Sequence, residues 1–310
     1  VCEHHNYDSH AREIIIRNID SNNVIRTAKY NGYYGELVIS PNGGTIAYII
    51  NRTNLKIFNI KTGHCIDGNV SCEGSLSFSP NNKFIAASYG QNYIKIFDAK
   101  TGNCIKSINV FKSDIIRIEY HGIFSTSFSP DNNSIVIGTL DGIVKILDIN
   151  SDRVSNIKEQ SGEIISVMFF KDGKTIIANT NYEIKIFNVY SGKCINTIYS
   201  EFNYQNVVLL DNRTFAYINY DNIEILDINS KQPIKKFNIG CCITAIISSD
   251  DSKLIICGLE NGVIRVIDIE SGSYIQLIGH TGSIHSILFS SNKKIIVSYS
   301  ADETIRKWYI

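Results

Sequence analysis

The sequence predicts an all-β fold made of seven repeats of one four-stranded antiparallel unit, the arrangement of a seven-bladed β-propeller. Three observations carry the prediction. Large apolar residues recur as a ruler at Phe58, Phe97, Leu147, Phe187, Leu226, Ile267 and Trp308, at intervals of 39, 50, 40, 39, 41 and 41 residues. A steady period near 40 is the mark of a propeller array. Each repeat also carries a turn at the end of its first strand, and three of the four prolines fall in that one slot, where a fixed φ favours the turn. Finally, the apolar residues alternate in short runs with period 2, as in half-buried strands, and helical periodicity is absent.

Taken in order, the first-strand turns are Ser40-Pro41-Asn42-Gly43, Ser79-Pro80-Asn81, Ser129-Pro130-Asp131, Lys171-Asp172-Gly173, Asp211-Asn212, Ser249-Asp250-Asp251 and Ser291-Asn292. Hairpins before the third strands are clearest at Asp141-Gly142 and Asn261-Gly262, dipeptides suited to φ > 0. Fourth strands start at Cys65, Cys104 and Cys194, each after a Thr-Gly or Ser-Gly turn. In the last repeat three runs are visible, Ser283–Phe289, Ile295–Ser298 and Thr304–Trp308, and no fourth. Residues 24–30 match a fourth-strand start, so an N-terminal strand is expected to complete the last blade and close the ring. The domain reading is therefore a polar tail over residues 1–12 and one propeller over 13–310. Glu13–Ile19 itself resembles a surplus third strand.

The last repeat opens with Gly279-His280 and reaches the only tryptophan, Trp308. It resembles a WD40 repeat, a four-stranded blade with G-H and W-D signatures, although Tyr309 stands where the final Asp is usual. The resemblance implies a hydrogen-bonded structural network of His280, Ser298, Asp302 and Trp308. It extends to WD-repeat segments of similar Ile/Asn-rich character that are fused to BTB/POZ domains in large DNA viruses.

Composition narrows the function classes. Thirty basic and thirty acidic residues cancel, which argues against a general footprint for nucleic acid or an anionic membrane. No apolar run is long enough to span a bilayer, and no secretory leader pattern opens the chain at Val1. Eight cysteines invite a disulfide reading, but Cys65, Cys104 and Cys194 hold one place in different repeats. Such positions lie too far apart for the roughly 5.5–6 Å Cα spacing of a disulfide. Buried, reduced cysteines in a cytoplasmic, reducing setting are expected.

Candidate chemistry is thin. His280, Ser298 and Asp302 have the residue types of a hydrolytic triad, but they coincide with the blade network and no G-x-S-x-G elbow precedes the serine. Cys2, His4, His5 and His10 are metal-ligand types without the spacing of a zinc module. No phosphate-binding loop, dinucleotide fingerprint or H-E-x-x-H motif occurs. No metal, no cofactor and no enzymatic activity are expected.

What remains is surface. In the resembled family, one face of the disc carries the loops entering each first strand and the hairpins between second and third strands, and that face often binds peptides or proteins. Those slots are Tyr33, Gly35, Asn51, Phe124, Leu140, Glu163, Ile165, Thr180, Gln205, Asn219, Thr244, Glu260, His285 and Ala301. Tyr33, Phe124, Leu140 and Ile165 are large for exposed sites; they either form an interaction patch or pack under loops. The long interval between Phe97 and Leu147 adds residues 109–121, with Phe111, Lys112, Arg117, Tyr120 and His121 as candidate contacts or as a neutral β-ribbon. The expected function is a non-catalytic scaffold for a protein or peptide, with no nucleic acid or membrane partner, monomeric unless a missing N-terminal domain dimerises it. The alternatives are the recognition half of a BTB/POZ adaptor in ubiquitin ligation and, less favoured, a propeller hydrolase.

Overall fold

The computed structural model describes residues 2–5, 11–17, 24–31, 34–50, 54–68, 74–111, 122–159, 162–199, 207–249, 251–290, 295–302 and 304–310. Among them every regular element is a strand, and the fold is an all-β propeller of seven blades. The chain divides into two compact units, Val1–Tyr199 and Ser200–Ile310.

The first unit holds blades one to four. Blade one comprises Tyr34–Ile39, Thr45–Ile50, Asn54–Asn59 and Cys65–Gly68; blade two, Leu76–Phe78, Phe84–Tyr89, Tyr93–Asp98 and Cys104–Asn109. Blade three comprises Ile123–Phe128, Ser134–Thr139, Ile143–Asp148 and Val154–Glu159; blade four, Ser166–Phe169, Thr175–Asn179, Glu183–Asn188 and Cys194–Tyr199. The second unit holds blade five (Val207–Leu209, Thr214–Asn219, Asn222–Asp227, Lys235–Asn238) and blade six (Ile243–Ser248, Leu254–Leu259, Ile264–Asp268, Tyr274–Leu277). Blade seven has Ile284–Ser290, Ile295–Ser300 and Ile305–Tyr309. Within every blade consecutive strands pair in chain order, antiparallel, because short turns can join only antiparallel neighbours. Gly142 and Gly262 supply φ values of 81° and 82° at the two hairpins where the sequence calls for them.

The core lies in the seams between blades. Ile94, Ile96 and Ile108 of blade two pack with Ile123, Phe128 and Ile137 of blade three; Ile218, Ile223 and Ile225 of blade five pack with Ile243 and Ile255 of blade six. Each inner sheet is thus covered on both faces, so its second and third strands are near-continuous apolar runs, such as Ile135-Val136-Ile137, which is fully buried. The ruler residues sit in these seams: Phe97, Leu147 and Phe187 are 0% exposed.

The N-terminus differs from expectation. Among the described residues Val24–Asn31 pairs with Ala11–Arg17, from Ala11↔Asn31 to Arg17↔Val24. Cys2–His5, inside the expected tail, pairs in turn with Ala11–Arg17, giving a separate three-stranded sheet. The surplus third-strand pattern and the fourth-strand pattern beside it are those of neighbouring strands. A short connection lets them pair locally at small closure cost. The cysteines differ too: Cys65 and Cys104 are exposed and Cys194 is half-buried, although all the described cysteines are free. They start fourth strands, whose outer edges face solvent.

Candidate functional site

Two constellations bear on function: a polar network in blade seven and exposed aromatic side chains on blades three and four. The first is the network inside blade seven. His280 enters from the loop before the first strand, Ser298 from the second strand, Asp302 from the hairpin and Trp308 from the third strand. His280 Nδ1 lies 2.8 Å from Asp302 Oδ2 and its Nε2 2.8 Å from Ser298 Oγ; the Trp308 indole N–H donates to the same Oγ at 2.9 Å. Thr281 N–H and the Thr304 hydroxyl also donate to Asp302, at 2.9 and 2.7 Å. Burial alone would raise the Asp302 carboxyl, but hydrogen bonds from Thr304, Thr281 and His280 outweigh it and hold it well below the usual carboxylate range. With Asp302 ionised, Nδ1 carries the proton, so Ser298 accepts from Trp308 and donates to Nε2. Ser298 is 1% exposed. Its oxygen accepts from the indole and its hydroxyl bonds the imidazole, so the triad residue types brace strand, entry loop and hairpin.

Other blades fill the serine slot differently. Pairing places Tyr48, Ala87, Ile137, Ala178, Tyr217 and Cys257 two residues beyond the partner of each ruler residue, where blade seven has Ser298. Blade five makes a second polar cluster there: Tyr217 Oη donates to Glu224 Oε2 at 2.6 Å, with Asn219 and Lys236 at 3.2 and 3.1 Å from Oε1. Burial would raise the Glu224 carboxyl, yet these bonds bring it below its ordinary value; burial and the same carboxylate push the Tyr217 phenol up. Blade five therefore does not depend on apolar packing alone at this slot. Asp141, the other aspartate in the hairpin slot, accepts from the Thr139 hydroxyl of its own hairpin.

The second constellation is the loop end of blades three and four. Phe124 is 52% exposed, and the cause is a β-bulge. Ile123 pairs with Thr139 and Ser125 with Gly138, so Phe124 is the extra residue, turned out of the ladder. The same irregularity falls at Thr244 in blade six, whose half-buried hydroxyl donates to Gly258 O and Ile284 O, and at His285 in blade seven. Ser125 Oγ accepts from Val167 N–H at 3.1 Å, and Ile164 N–H reaches Thr139 O at 3.1 Å, tying the two loop ends together. Leu140 and Ile165 are half-buried beside them, Glu163 is exposed, and Tyr182 on the blade-four hairpin is 61% exposed. Sequence reasoning missed Tyr182. It stands two residues after the slot chosen at Thr180, which is fully buried and spends its hydroxyl on the Tyr182 and Glu183 N–H groups. Phe111, a candidate contact at the start of the long interval, is buried with Lys145 Nζ 4.5 Å above its ring. Tyr33, Asn51, Lys112, Arg117, Tyr120, His121 and Gln205 lie outside the described residues, as do the side chains of Gly35, Cys2, His4, His5 and His10. No helix among the described residues is long and apolar enough to cross a membrane.

Comparison with known proteins gives the same fold and a family. The chain superimposes on the computationally designed Ika8 protein over 98% of its length and 95% of that chain, with a TM-score of 0.75 at 18% identity. It superimposes on a chain of the Mitotic Checkpoint Complex over 89% of each, with a TM-score of 0.70 at 14% identity. In sequence it is 23% identical over 193 residues to the serine-threonine kinase receptor-associated protein of Mus musculus, covering 61% of this chain and 55% of that one. It is 32% identical over 102 residues to the U3 small nucleolar RNA-associated protein 15 homolog of Xenopus tropicalis, covering 31% of this chain and 19% of the other. The match spans about half the length of the receptor-associated relatives. Residues 272–309 match the WD domain, G-beta repeat. Residues 8–226, well over half of the chain, match the nucleolar protein 10-like, N-terminal domain, and the chain belongs to that family.

Proposed function

We propose that this propeller is a non-catalytic scaffold that holds a protein or peptide partner on the loop end of its blades. The observation that carries the reading is the bulged, solvent-facing Phe124 with Tyr182 on the next blade. Two large aromatic side chains held out by rigid sheets cost ordering entropy only at their own rotors, and aromatic anchors dominate interface energetics. Glu163 beside them adds an acceptor at the rim. The buried Ser298, its oxygen bonded to the Trp308 indole, supports the non-catalytic part. Relatives named for association with a receptor kinase and with U3 small nucleolar RNA support membership of an assembly, of protein alone or of protein with RNA. A reducing compartment, the cytoplasm in this reading, suits the free cysteines. The adaptor alternative needs a BTB/POZ segment, which these 310 residues do not contain.

The test is quantitative affinity capture with the wild-type chain and a Phe124→Ser/Tyr182→Ser variant, each with and without ribonuclease. At least one protein recovered by the wild type should fall about tenfold or more in the variant, the size of hot-spot losses. Equal recovery by both would sink the reading, and loss on ribonuclease treatment alone would assign the association to RNA.

A further inference from the structure

The turn ends of blades six and seven enclose a cavity of about 420 Å³. Its walls are Leu254, Val266, Ile275, Phe289 and Ile310, and Asp251 and Asp268 stand at its lining. We propose that this slot docks a linear peptide segment presenting one large apolar side chain flanked by lysine or arginine. The inference concerns the opposite strand ends from Phe124 and is independent of the function proposed above.

A built-in comparison supports it, because the same slot recurs between blades one and two, with about 440 Å³. There Thr45 stands in place of Leu254 and Asn59 in place of Asp268, and the facing turn brings a cation, Lys100. Asn42 holds the place of Asp251. The covering differs as well. Ile66 is half-buried, and a Cβ at Gly102, on the next blade's turn, would stand 2.4 Å from its Cγ2. Its counterpart Ile275 is 51% exposed, and Tyr274 beside it 55%. Among the described residues the two seams therefore differ in lining: one carries Lys100 and a glycine turn packed on Ile66, the other a more apolar wall and two carboxylates.

The carboxylates complement a cation. Asp251 Oδ1 accepts from the Ser249 hydroxyl at 2.6 Å and Lys253 N–H at 3.2 Å; Asp268 Oδ1 accepts from Ser271 N–H at 2.7 Å and its hydroxyl at 2.8 Å. These turn bonds run through Oδ1. The Ser249 hydroxyl and the Ser271 N–H hold the two carboxyls below their ordinary range, so both are charged at neutral pH. The charges of Lys253 and Lys235 also favour the ionised carboxylates, to which an incoming ammonium or guanidinium would add a charge-assisted bond. An apolar wall supplies the anchor site and the charged rim the orientation.

Fluorescence anisotropy of the full chain with three labelled nine-residue peptides tests this. They are Gly-Ser-Lys-Leu-Phe-Arg-Ser-Gly-Ser, a version with Glu for Lys and Arg, and a version with Ser for Leu and Phe. The first should bind at least tenfold more tightly than the others. Asp251→Asn/Asp268→Asn should lose at least tenfold without loss of fold, since Asn42 and Asn59 already make the same turn bonds in blade one, at 2.8–2.9 Å. Ile275→Ser should lose a similar factor. No preference for the basic apolar peptide, or equal binding by the Asp→Asn variant, overturns the proposal. Concentration-dependent dimerisation abolished by Ile275→Ser would also overturn it, by assigning the slot to a second copy. Phe124 and Tyr182 are untouched in every variant, so neither outcome bears on the loop-end reading.

Discussion

Blade two and blade seven hold the same ruler position in the same strand and solve it by different chemistry. In blade two Phe97 is 0% exposed, and Ala87 stands where a polar partner would be. In blade seven Trp308 is half-buried, and its indole N–H is bonded to Ser298, which braces His280 and Asp302. One blade depends on volume alone, the other on volume and a chain of directed bonds that ties hairpin, entry loop and two strands. The difference teaches that repeat identity resides in the apolar period, while the signature residues add a local brace that most blades of this chain do without.

The largest effects break each blade at its ruler. Phe97→Ala and Trp308→Ala should each destabilise by about 3–5 kcal/mol, the usual cost of deleting a packed aromatic. Denaturant midpoints of the two variants measure this. If Trp308→Ala left the midpoint unchanged, the indole would not be part of the blade core.

Next come the exchanges at the serine slot, which separate the two solutions. Ser298→Ala leaves the Trp308 N–H and His280 Nε2 without their partner and should cost about 1–3 kcal/mol. The reverse change, Ala87→Ser, buries a hydroxyl in a fully enclosed apolar seam and should also destabilise, by about 1–3 kcal/mol. A stabilising Ala87→Ser would show that the hydroxyl is useful without the rest of the network. Those two variants also show what was legible in the sequence. The ruler was, because seven positions repeat one packing place, five of their six intervals lying between 39 and 41 residues. The blade-seven network was, because its four residues are a known set. The Tyr217–Glu224–Lys236 cluster was not, because its partners meet only through strand pairing and none belongs to a motif. Phe124 was legible as a face residue but its bulge was not, and Thr180 was misplaced because a two-residue difference in the hairpin decides between burial and exposure. Ala11–Arg17 and Val24–Asn31 were legible as strands and Cys2–His5 was not; their pairing was not legible, since period 2 marks a strand without naming its neighbour.

Acid should distinguish the blades more gently. The Asp302 carboxyl is held below its ordinary value of 3.8 in the folded chain. Its contribution is therefore present above about that pH and fades as pH falls through the lower folded value. Wild type should lose stability below about pH 4 more steeply than Asp302→Asn, which lacks this titration. Phe97→Leu in blade two should leave the acid slope as it is in the wild type. Parallel slopes for wild type and Asp302→Asn would show that the network does not depend on the charge.

The smallest expected change in stability lies at the loop ends, and it is the change that tests the proposed function. Phe124→Ser and Tyr182→Ser remove as much aromatic surface as Phe97→Ala, but from side chains that are 52% and 61% exposed. Phe124 has already left the ladder through its bulge, so its ring contributes little to the seam beneath it. Tyr182 follows the Thr180 hydroxyl, which holds the hairpin through backbone N–H groups that serine at position 182 would still offer. Each variant should therefore stay within about 0.5 kcal/mol of wild type, the usual range for surface substitutions away from caps and networks. A loss near that of Phe97→Ala would mean that the rings pack into the blades and are not held out for a partner. Unchanged stability with weakened partner capture is the result that ties the exposed aromatics to recognition, because no structural role accounts for that combination.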